Sequence, residues 1–245
     1  MTSTTFETII CIPGNWNSWD ELIVEIVAAT NGEYLAAGNI LMHAGNNKHY
    51  TIELFAPDDR MKASFKYAGM TTGVTELFLD DIERHKHVVY ITGTTGNFED
   101  ARQMALVADA ILKAGGLGVK IETVGKAFEK AHWSELLASF DEATLYTMFV
   151  LDSIMDESGT VFSCGMQNLG LKDTIVSGEE LQQAVDLIKI FGFYQIVDKP
   201  TIHNGQTFAT SSESPLYLIT EEFYHPYQGD EVFGNPFGTW RLTKV

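Results

Sequence analysis

Twice in this chain a short apolar run passes through a tight turn into a helix start, and that repetition limits the folds open to it. In Thr8-Ile9-Ile10-Cys11-Ile12 the apolar residues run without alternation, which suits a strand buried on both faces. Pro13-Gly14 ends it, and Ser18 then stands three residues before Glu21, the spacing of a capping box. Trp19, Leu22, Ile23, Ile26 and Val27 follow at helical spacing and give that helix one apolar stripe. Thr174-Ile175-Val176 leads in the same way to Ser177-Gly178-Glu179-Glu180, read as a second capping box. The helix after it turns Leu181, Ala184, Val185 and Ile188 inward. The echo hints at a duplication into two similar α/β subdomains.

Between these signals the pattern predicts a hairpin, Asn39–His43 with Tyr50–Phe55, joined by Ala44-Gly45-Asn46-Asn47. A helical stretch over Thr75–Arg84 precedes a strand at His87–Thr92, and Gly93-Thr94-Thr95-Gly96 links that strand to the longest helical pattern. Asn97 can cap this helix, Phe98, Ala101, Ala105, Ala108 and Leu112 line one face, and Gly115-Gly116 stops it. Val119–Thr123 reads as a strand and Lys126–Asp141 as an amphipathic helix. Leu145–Ile154 and Val161–Met166 read as paired strands about Asp156-Glu157-Ser158-Gly159, with further strands near Phe193–Val197, Leu216–Phe223 and Trp240–Thr243. Helices and hairpins mix without a strict βαβ repeat. The expected class is α+β, with mixed or antiparallel sheets and packed helices. The end of the helix before Asp141 sets the expected division, 1–140 and 141–245, with a single compact unit as the alternative.

A content of 45% hydrophobic and 20% charged residues over 245 positions is enough for a sizeable core and is unlike a disordered acidic tail. The start, Met1 to Glu7, has neither a basic region nor an apolar stretch of secretory type, and no apolar run reaches the roughly 18–20 residues that cross a bilayer. Cys11 and Cys164 each sit in an apolar stretch and read as buried thiols of a reducing compartment. The expectation is a cytoplasmic protein without membrane contact.

Thirty-three acidic residues against sixteen basic ones leave a formal charge of −17. Direct contact with a nucleic-acid backbone needs clustered Lys and Arg, so this balance argues against it and favours a basic partner. The acids Asp141, Glu142, Asp152, Asp156, Glu157, Asp173, Glu179, Glu180 and Asp186 fall in one stretch opposed only by Lys172. Such a stretch is either a solvated face or a platform that steers a basic protein.

Catalytic chemistry finds little to work with. Gly93-Thr94-Thr95-Gly96-Asn97 lies between strand and helix, where backbone N–H groups can hold an anion, but it has neither the Lys nor the length of a P-loop. His85 and His87 would share one strand face, yet no ligand spacing accompanies them. Ser163-Cys164-Gly165 lies in an apolar strand, away from any helix N-terminus that would activate the thiol. The segment from Tyr224 to Trp240, with Tyr227 and Phe233, is rich in aromatics, Gly and Pro. It suits either a wrap over the core or a rigid contact surface.

Three segments carry a family likeness. They are Cys164-Gly165-Met166-Gln167-Asn168-Leu169-Gly170-Leu171, Ser177-Gly178-Glu179-Glu180-Leu181 and Ile202-His203-Asn204-Gly205-Gln206-Thr207. Over residues 161–222 they resemble the bacterial family filed as domain of unknown function 4261, and His85–Gly118 is similar to the N-terminal part of its longer members. The family brings no catalytic residues. Small acidic proteins of this look occur among immunity proteins of type VI secretion systems. The resemblance therefore implies an inhibitor that binds a cognate toxin, with a basic nuclease-like enzyme the best match for an acidic surface. The expected contact residues are Asp152, Asp156, Glu157, Glu179 and Glu180, then Asp141 and Glu142, with Tyr224, Tyr227 and Phe233 as aromatic anchors and no cofactor or metal. The alternatives are a small-molecule binder or enzyme with a pocket near Gly93–Asn97, and an adaptor of a secretion apparatus.

Overall fold

The computed structural model describes residues 4–222, 230 and 232–245. Among these are seven α-helices and two sheets, of seven and six strands, so the class is α+β. The chain forms two compact units, and neither is continuous in sequence. One comprises Glu7–Thr94 and Glu99–Ser139, the other Met1–Phe6, Thr95–Phe98 and Phe140–Val245. No helix among the described residues is long and apolar enough to cross a membrane.

The first unit is built on β1 (Phe6–Gly14), α1 (Trp19–Ala29), the meander β2 (Tyr34–Ala37), β3 (Ile40–His43) and β4 (His49–Phe55), then α2 (Met61–Ala68) and α3 (Glu76–Glu83). β5 (His87–Thr95), α4 (Phe98–Lys113), β6 (Gly118–Ile121), β7 (Lys126–Glu129) and α5 (Lys130–Ser139) complete it. The sheet order is β2-β3-β4-β5-β1-β6-β7. β1 is an interior strand, flanked by β5 and β6, which is why its apolar residues do not alternate with polar ones. Cys11 joins Met61, Phe65, Phe78, Leu79 and Ile82 beneath α2 and α3. Ile12 points the other way, to the end of α4, where a Cβ on Gly116 would stand 2.7 Å from its Cγ2. Ser18 caps α1 by accepting from Glu21 N at 3.2 Å, while the Glu21 carboxylate turns back to Asn17 N at 2.9 Å. The first helix start is thus a capping box displaced by one residue.

The second unit holds α6 (Glu142–Phe149), β8 (Leu151–Met155), β9 (Val161–Cys164), a 3-10 turn at Met166–Leu169, β10 (Asp173–Val176) and α7 (Leu181–Phe193). A π-helical turn at Tyr194–Asp198 follows, then β11 (Thr207–Phe208), β12 (Tyr217–Glu222) and β13 (Thr239–Lys244). The order is β11-β12-β13-β10-β9-β8, with β10 and β13 parallel and the other pairs antiparallel. Ala184, Leu187, Ile188 and Phe191 of α7 pack on Val161, Val176, Ile219, Trp240 and Leu242 of the sheet. Both units thus run strand, helix, three-stranded meander. In the first, β5 separates the meander from the opening strand, whereas in the second β13 lies directly beside β10.

Several expected elements change. Leu145–Phe149 belongs to a helix, because Asp141 accepts from Thr144 N at 2.8 Å and caps α6. Its apolar run is short enough to serve either a buried helix or a strand. Lys126–Glu129 leaves the expected helix to pair with β6, burying Ala127 and Phe128. The second capping box is absent. Helix α7 begins after Glu180, and Ser177 Oγ instead accepts from the Arg241 guanidinium at 3.0 Å. Phe193–Val197 continues α7 into the π turn, which Lys199 closes at φ 46. Gly93-Thr94-Thr95 is the end of β5 and no linker, and β2, α2 and β11 had no clear sequence signal.

Candidate functional site

The expected acidic residues divide into a group the fold brings together and a group it commits locally. Asp156 Oδ1 accepts from Ser158 N at 2.8 Å, Ser158 Oγ at 2.6 Å and Thr160 N at 3.0 Å, and these donors hold its carboxyl below its ordinary pKa. Thr160 Oγ1 lies 3.3 Å from Ser177 Oγ, and Val161 is the register partner of Val176. The Asp156–Gly159 turn and the Ser177–Glu180 loop therefore share one end of the second sheet, and Glu157 and Glu180 are exposed there. Glu179 belongs to the same loop but not to the free surface. Its side chain is 6% exposed, Lys244 Nζ lies 3.1 Å from it, and the Tyr217 hydroxyl donates to it at 3.2 Å.

The others are committed elsewhere in this unit. Asp141 is the α6 cap, Glu142 meets Lys199 Nζ at 2.7 Å, and Asp152 accepts from the Tyr146 hydroxyl at 3.3 Å. Burial, then the Asp152 charge, pushes the Tyr146 pKa upward. Phe233 is half-buried, with its N–H on Asp230 Oδ1 at 3.0 Å and its carbonyl near Cys164 Sγ at 3.9 Å. Tyr224 and Tyr227 lie outside the described residues.

Asp173 had been grouped with the acidic stretch as surface. The structure buries it completely. Its Oδ1 accepts from Ser163 Oγ at 2.9 Å and Met166 N at 3.3 Å, and its Oδ2 from Asn235 Nδ2 at 2.7 Å. Burial pushes its pKa up to about 7 against the pull of those donors. Around it the Met166–Leu169 turn buries Gln167 and Asn168: Gln167 Oε1 accepts from Gly165 N at 2.9 Å, and Asn168 Nδ2 donates to Gly165 O at 2.8 Å. Gly165 and Gly170 flank the turn at φ 121 and 75, and a Cβ on Gly170 would meet Gly96 O at 2.2 Å. The Cys164–Leu171 motif is thus a buried polar hub that fastens the Asn235-Pro236 segment to β10. The one sequence cue to it was an Asp opening an otherwise apolar strand.

Both histidines of the His85/His87 pair are hydrogen-bonded, His85 through both ring nitrogens and His87 through one. His85 precedes β5, is buried, receives the Asp58 N–H on Nε2 at 3.1 Å and donates from Nδ1 to Ile82 O at 2.6 Å. His87 Nδ1 bonds Trp16 O at 2.7 Å. Among the described residues no three His, Cys, Asp or Glu side chains gather as a metal group. Both thiols are buried, and burial raises the pKa of each, which favours the protonated form. The Gly93–Asn97 region does border a cavity, but its walls come chiefly from Lys48–Tyr50 and α4.

No family model matches the chain, and no curated protein or solved structure matches it.

Proposed function

We propose that this chain is an immunity-type inhibitor that binds a basic, nuclease-like toxin of a type VI secretion system in the cytoplasm, without catalysis or cofactor. The observation that carries the reading is the acidic end of the second sheet. There Glu157 and Glu180 are exposed, Asp156 is held in a hydrogen-bonded turn, and no Lys or Arg among the described residues pairs with any of the three. In a chain of net charge −17 such a surface attracts basic proteins from a distance and repels nucleic acid. The motifs of residues 161–222, read from the sequence alone as resembling the domain of unknown function 4261 family, point in the same direction. Carboxylates set on a rigid turn lose little entropy when they meet Arg or Lys, which favours charge-paired hydrogen bonds at an interface.

The test is capture of partners from lysate of the source bacterium on the immobilised full chain, followed by binding kinetics of the captured protein at two salt concentrations. The reading predicts one basic, toxin-like protein held stoichiometrically, with an on-rate that falls as salt rises. A partner whose on-rate ignores salt, or none at all, would discard it.

A further inference from the structure

In the first unit, α4 and the start of β4 border a cavity of about 240 Å3, lined by Lys48, His49, Tyr50, Thr94, Asp100 and Gln103 among others. Tyr50 is the unusual member. It is 4% exposed, and its hydroxyl is buried with no hydrogen-bond partner. Leaving a buried hydroxyl unsatisfied costs about 1–3 kcal/mol, and phenylalanine would fill the same place without that cost. The ring is seated deliberately. A Cβ on Gly93 would stand 2.8 Å from Tyr50 Cδ1 and 2.4 Å from Met104 Sδ, so the glycine gives the ring its present space. Burial, then the charges of Asp100 and Glu99, push the Tyr50 pKa up to about 12, which keeps its proton available to donate.

The charged lining has one member of each sign. Lys48 is paired with Asp100, the two side chains being 44% and 18% exposed. A lone anion would meet Asp100 and a lone cation would meet Lys48. A ligand carrying both charges can replace each half of the pair with its own. Gln103 is already committed, its Oε1 accepting from Asn46 Nδ2 at 3.1 Å and its Nε2 donating to Glu99 Oε1 at 2.9 Å, so it stiffens the wall. The volume falls below the 300–1,000 Å3 range of drug-sized ligand pockets and fits something smaller.

We infer that this cavity binds a small zwitterion, an α-amino acid being the simplest case, with its ammonium on Asp100 and its carboxylate on Lys48 and the Tyr50 hydroxyl. This inference is independent of the toxin reading, since its residues belong to the other unit.

Titration calorimetry of the full chain with the free L-amino acids tests it, with acetate, methylamine and glycerol as controls. At least one amino acid should give saturable heat where the controls give none. Tyr50→Phe should weaken that binding by about ten- to hundredfold, the loss expected for a hydrogen bond to a charged group, while the ligand-free variant melts no lower than the parent. Lys48→Met with Asp100→Asn should abolish it. No heat from any amino acid, equal heat from acetate or methylamine, or undiminished affinity in Tyr50→Phe would each overturn the inference.

Discussion

Asn235 Nδ2 donates to Asp173 Oδ2 across 2.7 Å, so a residue near the C-terminus satisfies a carboxyl that has no access to water. Replacing Asp173 by Asn would keep the shape but set one amide NH2 against another, or leave the Ser163 and Met166 donors short of an acceptor. The expected loss is about 1–3 kcal/mol, measured by urea denaturation at pH 7. Equal midpoints for parent and variant would show that the hub does not anchor the segment.

The same carboxyl sets a pH dependence. Its folded pKa, about 7, lies above the ordinary 3.8, so the folded state holds a proton that the unfolded state has released between those values. Stability from this group is full below about pH 4 and is lost as pH rises through 7. The gap in stability between parent and Asp173→Asn should therefore narrow from pH 4.5 to pH 8. A gap that stays constant over this window would mean that the carboxyl is ionised throughout in the folded state as well.

Asp141 carries the opposite sign. Its carboxylate accepts the Thr144 N–H and hydroxyl, which lower its pKa, so its contribution is present above the ordinary 3.8 and is lost as pH falls through the lowered folded value. Asp141→Ala should destabilise the chain at pH 7 and match the parent at acid pH, while Asp141→Asn, also a good cap, should lose less. Thermal melts across pH distinguish this helix-capping role from a contact role, which would leave melts unchanged and slow partner binding.

Charge reversal at the acidic end separates surface from scaffold. Glu157→Lys with Glu180→Lys should leave the melting temperature in place and slow association with a basic partner. Glu179→Lys should lower the melting temperature, because it sets a second cation beside Lys244 and takes the acceptor from Tyr217. If the Glu157/Glu180 double reversal associates at the parental rate, the acidic end is not the docking surface.

Glycine substitutions offer a control on the hub. Gly170→Ala puts a Cβ 2.2 Å from Gly96 O at φ 75, whereas Gly178→Ala, at φ 83, meets nothing within 4 Å. The second should cost about 1–2 kcal/mol for its backbone alone and the first clearly more. Denaturation midpoints of the two variants provide the comparison.

What the sequence revealed and what it hid follow from the range of the forces involved. The α1 start was legible because Ser18 and Glu21 act within one turn, and β1 because an unalternating apolar run needs cover on both faces. The apparent second capping box misled because Ser177 is claimed by Arg241, sixty-four residues away, in an adjacent strand. Leu145–Phe149 misled because its apolar residues satisfy two geometries, and the deciding bond comes from Asp141. The committed state of Glu179 and the seating of the Tyr50 ring depend on residues far along the chain, which no local pattern encodes, and the place of Asp173 at the head of β10 was the one local cue to its burial.

The interleaving of the two units has a consequence for how this chain can be made and inherited. Gly96 N donates to Asn168 O at 3.1 Å, so the second unit is built partly from a four-residue piece supplied from within the first. A ribosome releases that piece some seventy residues before its acceptor, and it must stay available until the acceptor arrives. A gene fragment beginning after residue 140 would encode the second sheet without this piece. Recombination is thus expected to pass the two units on together, as one heritable block.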